Sequence, residues 1–176
     1  EVAGAMDVGT YTGNAANDRG ITGVGFQPDA LFLKNANAAV AVSAGFLINE
    51  SHGDNTSLFT DTANLVDALQ LFQADGFQIG TNSVSNGNGN AIYYAAFGGA
   101  PDPSSSGTFE MSNGSYVGTG QYLTISGLDF APDLVIVKAS GTVAGVFRTR
   151  MMNGDTTAYL DAATANFAGG ITDLRP

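Results

Sequence analysis

Residues Ile21–Asn35 read ITGVGFQPDALFLKN, and residues Ile125–Ala139 read ISGLDFAPDLVIVKA. In both stretches a Pro-Asp pair stands ahead of an apolar run that ends in Lys. Pro presets the backbone there and Asp bonds back to it, which is turn chemistry. The runs that follow, Phe32–Lys34 and Leu134–Lys138, are rich in β-branched or aromatic residues and read as short strands. The two stretches lie 104 positions apart. Upstream, Gly9-Thr-Tyr-Thr-Gly13 reappears as Gly114-Ser-Tyr-Val-Gly118, 105 positions on. Downstream, Ala44-Gly45-Phe46 faces Ala144-Gly145-Val146, Gly53-Asp54 faces Gly154-Asp155, and Asp61 faces Asp161, with the offset falling to 100 through short loop deletions. The chain therefore carries two copies of one unit.

The remaining pattern is also β. Gln121–Ile125 and Ala91–Phe97 read as further strands bounded by Gly, Asn, Asp or Pro. Over Thr62–Ile79, Leu65, Leu69 and Phe72 share a helical face with Thr62 as its cap, whereas Leu69, Leu71, Phe77 and Ile79 around Ala74-Asp75-Gly76 read as a hairpin; the hairpin is the preferred reading. The expected fold is all-β, with two tandem β-sandwich, jelly-roll-like domains. Residues 1–98 form the first domain, 99–108 a Gly/Pro/Ser-rich linker, and 109–176 a second, shorter domain. Phe26, Leu31 and Lys34 are expected to match Phe130, Val135 and Lys138. The second copy ends with Ile171–Pro176 opposite Leu69–Ala74, so the second domain is expected to lack counterparts of Phe77–Ile79 and Ala91–Phe97 and to be incomplete, the alternatives being a fragment of a longer protein or a domain closed with fewer strands.

Composition narrows the partners. The 176 residues carry a net charge of -10, with six cations spread along the chain, which gives no electrostatic footprint for nucleic acid or anionic lipid. The longest weakly polar stretch, Ala38–Ile48, is about half of what a membrane-spanning helix requires. Glu1–Asp7 lacks the basic start and apolar run of a signal peptide, so the chain reads as intracellular or already processed. The lack of Cys removes thiolate catalysis, Cys-bound zinc and iron–sulfur clusters. A 44% hydrophobic share is enough apolar mass for a core, and the abundant Gly belongs to turns around it.

Four motifs stand in order: G-x-Y-T-G-N at Gly9–Asn14, I-T-G-x-G-F-x-P-D-x-x-x-x-K at Ile21–Lys34, A-D-G-F-x-I-G-T-N at Ala74–Asn82, and Y-Y-A-A-F at Tyr93–Phe97. This series resembles an uncharacterised β-rich repeat of bacteriophage tail or virion-associated proteins and bacterial surface proteins. The resemblance implies a β-sandwich structural or binding module and brings no catalytic residues. The first copy carries every motif; the second carries only the front half.

Catalytic constellations read poorly. Ser51, His52 and Asp54 are too close in sequence to converge as a triad, and Asn153 stands opposite His52 while Gly-Asp is kept, which is what a turn retains. The three Glu residues, Glu1, Glu50 and Glu110, have no facing partner of the glycosidase kind. Asp29 and Asp133 read as turn residues. Calcium, with loops at Asp18, Asp54-Asn55 or Asn86–Asn90 as candidate ligands, lacks the spacing of an EF-hand, and no other cofactor is expected. Asn86–Asn90 reads as a flexible hairpin tip, not a phosphate loop. The sequons at Asn49, Asn55 and Asn113 occur at chance frequency. Lys34 and Lys138, the only lysines, read as strand-end residues whose stems cover apolar neighbours; the sharper alternative is a Lys–Asn amide crosslink of the kind used by surface fibres.

These readings point to a non-enzymatic structural subunit of an extracellular filament, fibre or virion-surface assembly. Copies of the chain would polymerise by strand exchange, with the N-terminal segment bearing Val2, Met6, Val8 and Tyr11 as candidate donor. The alternative is a glycan-binding or adhesive module using Tyr93, Tyr94, Tyr116 or Tyr122.

Overall fold

The computed structural model describes residues 6–37, 45–47, 55–60, 62–98, 109–160 and 165–175. Within them lie β1 (Met6–Thr12), β2 (Arg19–Thr22), β3 (Ala30–Asn35), β4 (Gly45–Leu47), β5 (Asn55–Leu58), β6 (Leu65–Val66), β7 (Leu69–Gln73), β8 (Gly76–Ile79), α1 (Ser83–Asn86), β9 (Ala91–Phe97), β10 (Leu134–Val137), β11 (Val146–Thr149), β12 (Thr156–Tyr159) and β13 (Phe167–Ala168). The chain is mostly β. Its strands pair antiparallel in sheets of order β1-β9-β3-β4-β5-β6, β2-β8-β7 and β10-β11-β12-β13, and none of these closes into a barrel. The expected linker, 99–108, falls outside the described residues, as do Val2, Glu50, Ser51, His52 and Asp54.

Alternation decides which face of the large sheet is covered. On β3, Leu31 and Leu33 are buried while Lys34 is exposed; on β9, Ile92 and Ala96 are buried while Tyr93 is exposed. This is the period-two signature of a strand with one face inward. The inward residues join Ile21 from β2, Leu69 and Phe72 from β7, and Phe77 and Ile79 from β8 in a single core, with Val24 on the loop beyond. Phe77 lies at its centre, 5.3 Å from the Tyr94 ring edge-on and 6.1 Å from Tyr11.

The segment open to two readings is the β7–β8 hairpin. A register shift between Leu69 and Leu71 inserts a bulge, which turns Leu69 and Phe72, three positions apart, to the same buried side. That spacing is the one a helix would also produce.

The repeat is present in the ladders. Leu31 pairs with Leu47 and Leu33 with Gly45, as Val135 pairs with Arg148 and Val137 with Val146. Gly45 faces Leu58 as Val146 faces Tyr159, and Thr56 faces Leu65 as Thr157 faces Phe167. Even the next hydrogen bond is repeated: the Leu69 N–H donates to Thr56 Oγ1 at 2.8 Å, and the Ile171 N–H donates to Thr157 Oγ1 at 2.8 Å. Strands β10–β13 thus copy β3–β6 in register, with one correction to the sequence alignment: Val146, and not Gly145, takes the ladder place of Gly45.

Two expectations need correction. Gln121–Ile125 forms no strand, and its exposed Tyr122, Leu123 and Ile125 stand where β2 and buried Ile21 lie in the first copy. The physical reason is the partner: β2 is held by β8, and among the described residues of the second copy no strand stands in that place. The same holds for Gly114–Gly118, the counterpart of β1, whose partner in the first copy is β9. The matched positions come out unevenly: Leu31 is fully buried whereas Val135 is half-buried, while Phe26 and Phe130 are both half-buried. The two copies touch through a hydrogen bond from the Gly145 N–H to the Phe59 carbonyl at 2.8 Å and through the Phe97 and Phe109 rings, 6.0 Å apart.

Candidate functional site

The open side of the second copy is the candidate site. β10 pairs with β11 along one edge, but no described strand takes the other edge, which β9 fills on β3. Elsewhere in the second copy Tyr122 is 89% and Val117 86% exposed, and Tyr116, Leu123 and Ile125 are exposed as well, as is Leu134 on β10 itself. In the first copy, Tyr11, counterpart of Tyr116, is packed against the core, and Ile21, counterpart of Ile125, is buried in it. An uncovered strand edge beside apolar side chains is a template for pairing with another chain.

Arg148 lies on β11, on the paired side of β10, opposite Val135 where the first copy has Leu47 opposite Leu31. It is only 7% exposed. Its Nη1 donates to the Thr156 carbonyl at 2.7 Å and its Nη2 to the Gly154 carbonyl, which clamps the turn between β11 and β12, while Nε has no partner. A buried cation at a core position left no trace in the hydrophobic pattern, and an Arg within an otherwise apolar-aromatic run was its only signal.

A second cluster lies at the start of the first copy, where Asn86 corrects the expected flexible tip. Asn86 is fully buried: its Nδ2 donates to the Gly80 and Ala16 carbonyls at 2.8 Å each, and its Oδ1 accepts from the Asn14 N–H at 2.9 Å. Nearby, Asn35 Nδ2 donates to the Ser83 carbonyl, Ser85 Oγ to the Ala68 carbonyl, and the Tyr11 hydroxyl to the Ser85 carbonyl at 2.6 Å. Burial pushes the Tyr11 hydroxyl well above the ordinary phenol range, against the pull of Arg19. Gly13 has no room for a side chain, since a Cβ would meet the Gly87 carbonyl oxygen at 2.1 Å. The G-x-Y-T-G-N motif is therefore a lock between β1 and the loop around α1. Its amides are committed to the protein's own backbone, and α1 is capped by Asn82 accepting from the Val84 N–H.

The other singled-out residues are dispersed. Lys34 lies on the outward face of β3 with Nζ donating to the Asn35 carbonyl at 3.0 Å; Lys138 follows β10 with Nζ donating to the Ala139 and Gly141 carbonyls at 2.6 and 2.8 Å. Met6, Val8 and Tyr11 lie on β1, which pairs along its whole length with β9 of its own chain. Tyr94 packs inward with its hydroxyl donating to Asp7 Oδ2 at 2.8 Å, which leaves Tyr93, Tyr116 and Tyr122 exposed. Asp133 is paired with Arg150 at 3.0 Å. Among the described residues, no group of three or more acidic or His side chains gathers as for a metal ion, and no helix is long and apolar enough to cross a membrane.

The family model described as Domain of unknown function (DUF7483) matches residues 4–168, a span that takes in nearly all of the first copy and most of the second. The chain belongs to this family. Its match covers the Asn86 lock, the open edge of β10 and the buried Arg148 alike, so these features lie inside the DUF7483 domain. No curated protein and no solved structure matches the chain.

Proposed function

We propose that the protein is a non-enzymatic structural subunit of an extracellular filament, fibre or virion-surface assembly, built by strand exchange between copies of the chain. One observation carries this reading: β10–β13 keep the register of β3–β6, yet the residues that the first copy covers with β7, β8 and β9 stand exposed in the second. A strand from a neighbouring subunit would complete the half-built sheet, and folding and polymerisation would become one process. On this reading each copy is a β-sandwich, residues 1–98 and 109–176.

The N-terminal segment with Val2, Met6, Val8 and Tyr11 is the proposed donor. Donation requires β1 to leave β9, where seven residues are paired, for β10, which has four. The test is electron microscopy and sedimentation of the full chain beside a chain lacking residues 1–8. Loss of polymers on deletion supports this donor, polymers unaffected by deletion assign the exchange to another strand, and a full chain that stays monomeric refutes the assembly reading. The exposure of Tyr93, Tyr116 and Tyr122 favours a second reading, a glycan-binding or adhesive module, because exposed aromatic faces stack on sugars. A glycan array probed with monomeric protein separates the two.

A further inference from the structure

Four Asn-Gly pairs stand in the chain, headed by Asn86, Asn88, Asn113 and Asn153. An asparagine followed by glycine is open to attack on its own side chain, because no Cβ shields the next peptide nitrogen and the glycine backbone is free to turn toward the amide. The attack closes a cyclic imide and expels ammonia.

The fold sorts these pairs. Asn86 is fully buried with both ends of its amide bonded, and the Gly87 N–H donates to the Ser83 carbonyl at 3.2 Å. The Gly89 N–H, after Asn88, donates to the Gly13 carbonyl at 2.9 Å. Asn113 commits its side-chain amide to the Asp29 carbonyl. Asn153 lies exposed in the turn between β11 and β12. Among the described residues its side-chain amide has no partner, and nothing accepts from the Gly154 N–H. Gly154 holds φ 60°, which glycine adopts without strain.

The same turn is arranged to stabilise the anion through which the reaction passes. The Gly154 nitrogen must lose its proton to attack, and the charge left behind rests largely on the Asn153 carbonyl oxygen. The Thr156 hydroxyl donates to that oxygen at 2.7 Å. The Arg148 guanidinium bonds the next carbonyl, that of Gly154, and the Thr156 carbonyl at 2.7 Å. It is buried and meets no carboxylate in ion-pair contact among the described residues, so solvent screens its charge little. Asp155 carries the opposing charge, but its Oδ1 accepts from the Gly169 N–H at 3.0 Å. A donor and a cation aimed beforehand at the forming charge are what lowers such a barrier.

We propose that Asn153 is a self-modification site, at which the protein converts its own amide to a carboxylate. The Gly154 nitrogen bonds to Asn153 Cγ, the Cγ–Nδ2 bond breaks, and the amide nitrogen leaves as ammonia with the proton that Gly154 gave up. Water then opens the imide at either carbonyl, leaving aspartate or isoaspartate. This goes beyond the assembly reading and does not rest on it. Each product sets a negative charge on the turn that Arg148 clamps, where Nε has no partner. Isoaspartate also lengthens the backbone ahead of Gly154 by a methylene, which loosens the hold of Arg148 on the Gly154 carbonyl.

The test incubates the freshly prepared full chain, folded and in urea, and follows it with time. Trypsin cuts after Arg150, and Arg175 is shielded by the following Pro, so residues 151–176 come off together with Asn153 heading their only Asn-Gly pair. Mass spectrometry with electron-transfer fragmentation reads the change from amide to acid and separates the two products. In the folded chain Asn153 should convert first of the four and at least as fast as in urea. Asn86 and Asn88 should fall behind their urea rates by about tenfold, since a hydrogen bond must break before the nitrogen can attack. Thr156→Val should slow Asn153 several-fold in the folded chain and leave its urea rate unchanged. Asn153→Gln, whose ring would be one atom larger, should abolish the change in residues 151–176 and leave the other pairs as they were. Folding that slows Asn153 below its urea rate, another pair outpacing it, or a folded Thr156→Val chain reacting at the parent rate would each overturn the site.

Discussion

Replacing Asn86 by Ala probes whether the amide lock holds the first copy together. The Gly80 bond is buried, so its loss strands a carbonyl away from water at a cost of about 1–3 kcal/mol. The bonds to Ala16 and Asn14 are part-buried and end on exposed residues that water can reach. Each of those forfeits only its net contribution, about 0.5–1.5 kcal/mol. Alanine suits the last position of α1, so the helix itself offers no opposing term. The sum is a loss of about 4 kcal/mol. In a chain of this length that corresponds to a fall in Tm of roughly 8–16 °C. Urea unfolding followed by far-UV circular dichroism and tyrosine fluorescence measures it. Asn88→Ala, at an exposed residue two positions on, is the control and should stay within about 0.5 kcal/mol of the parent. An Asn86→Ala chain losing less than about 1 kcal/mol would show that the amide is replaceable by water and that the lock is not structural.

Gly13→Ala should be strongly destabilising because its Cβ would strike the Gly87 carbonyl oxygen, whereas Gly118→Ala at the matching place, where nothing lies within 4 Å, should leave the unfolding midpoint unchanged; equal effects would refute the claim that this motif is unlocked in the second copy. Asp67 is held below the usual carboxylate value by the Thr81 hydroxyl and N–H and by Gln70, so its contribution is present above the ordinary aspartate range and is lost as pH falls through the lowered value. A carboxyl NMR titration should therefore show a depressed midpoint that rises in Thr81→Ala. Intact-mass measurement should return the unmodified chain; a mass lower by one ammonia per site would identify Lys34 or Lys138 as crosslinked to Asn.

The sequence was most informative where structure is set locally. The Phe-x-Pro-Asp turns and apolar runs announced the repeat, and the ladders of β10–β13 carry it pair by pair. It misled where a segment depends on a distant partner. Gln121–Ile125 has strand composition, but a strand is completed by its neighbour, and among the described residues none pairs with it as β8 pairs with β2. Asn86 looked like loop punctuation because the three segments that saturate its amide are far apart in sequence, at Asn14, Ala16 and Gly80. The helix-like spacing of Leu69 and Phe72 came from a bulge that no composition rule marks. The left-handed backbone at Asp129 was not legible, because φ values are not written in residue types other than glycine.

The direction of β1 governs how the protein answers tension. Met6 stands opposite Phe97, so the entry of β1 and the exit of β9 toward the second copy share one end of the ladder. A pull between the N-terminus and the second copy therefore acts across the strands and opens the Met6 end first. The hydrogen bonds are loaded one after another, as in a zipper, in place of the simultaneous shear that a load along opposed ends would impose. Force entering through this strand peels it from its sheet gradually, and each released residue lengthens the chain before the core around Phe77 feels the strain.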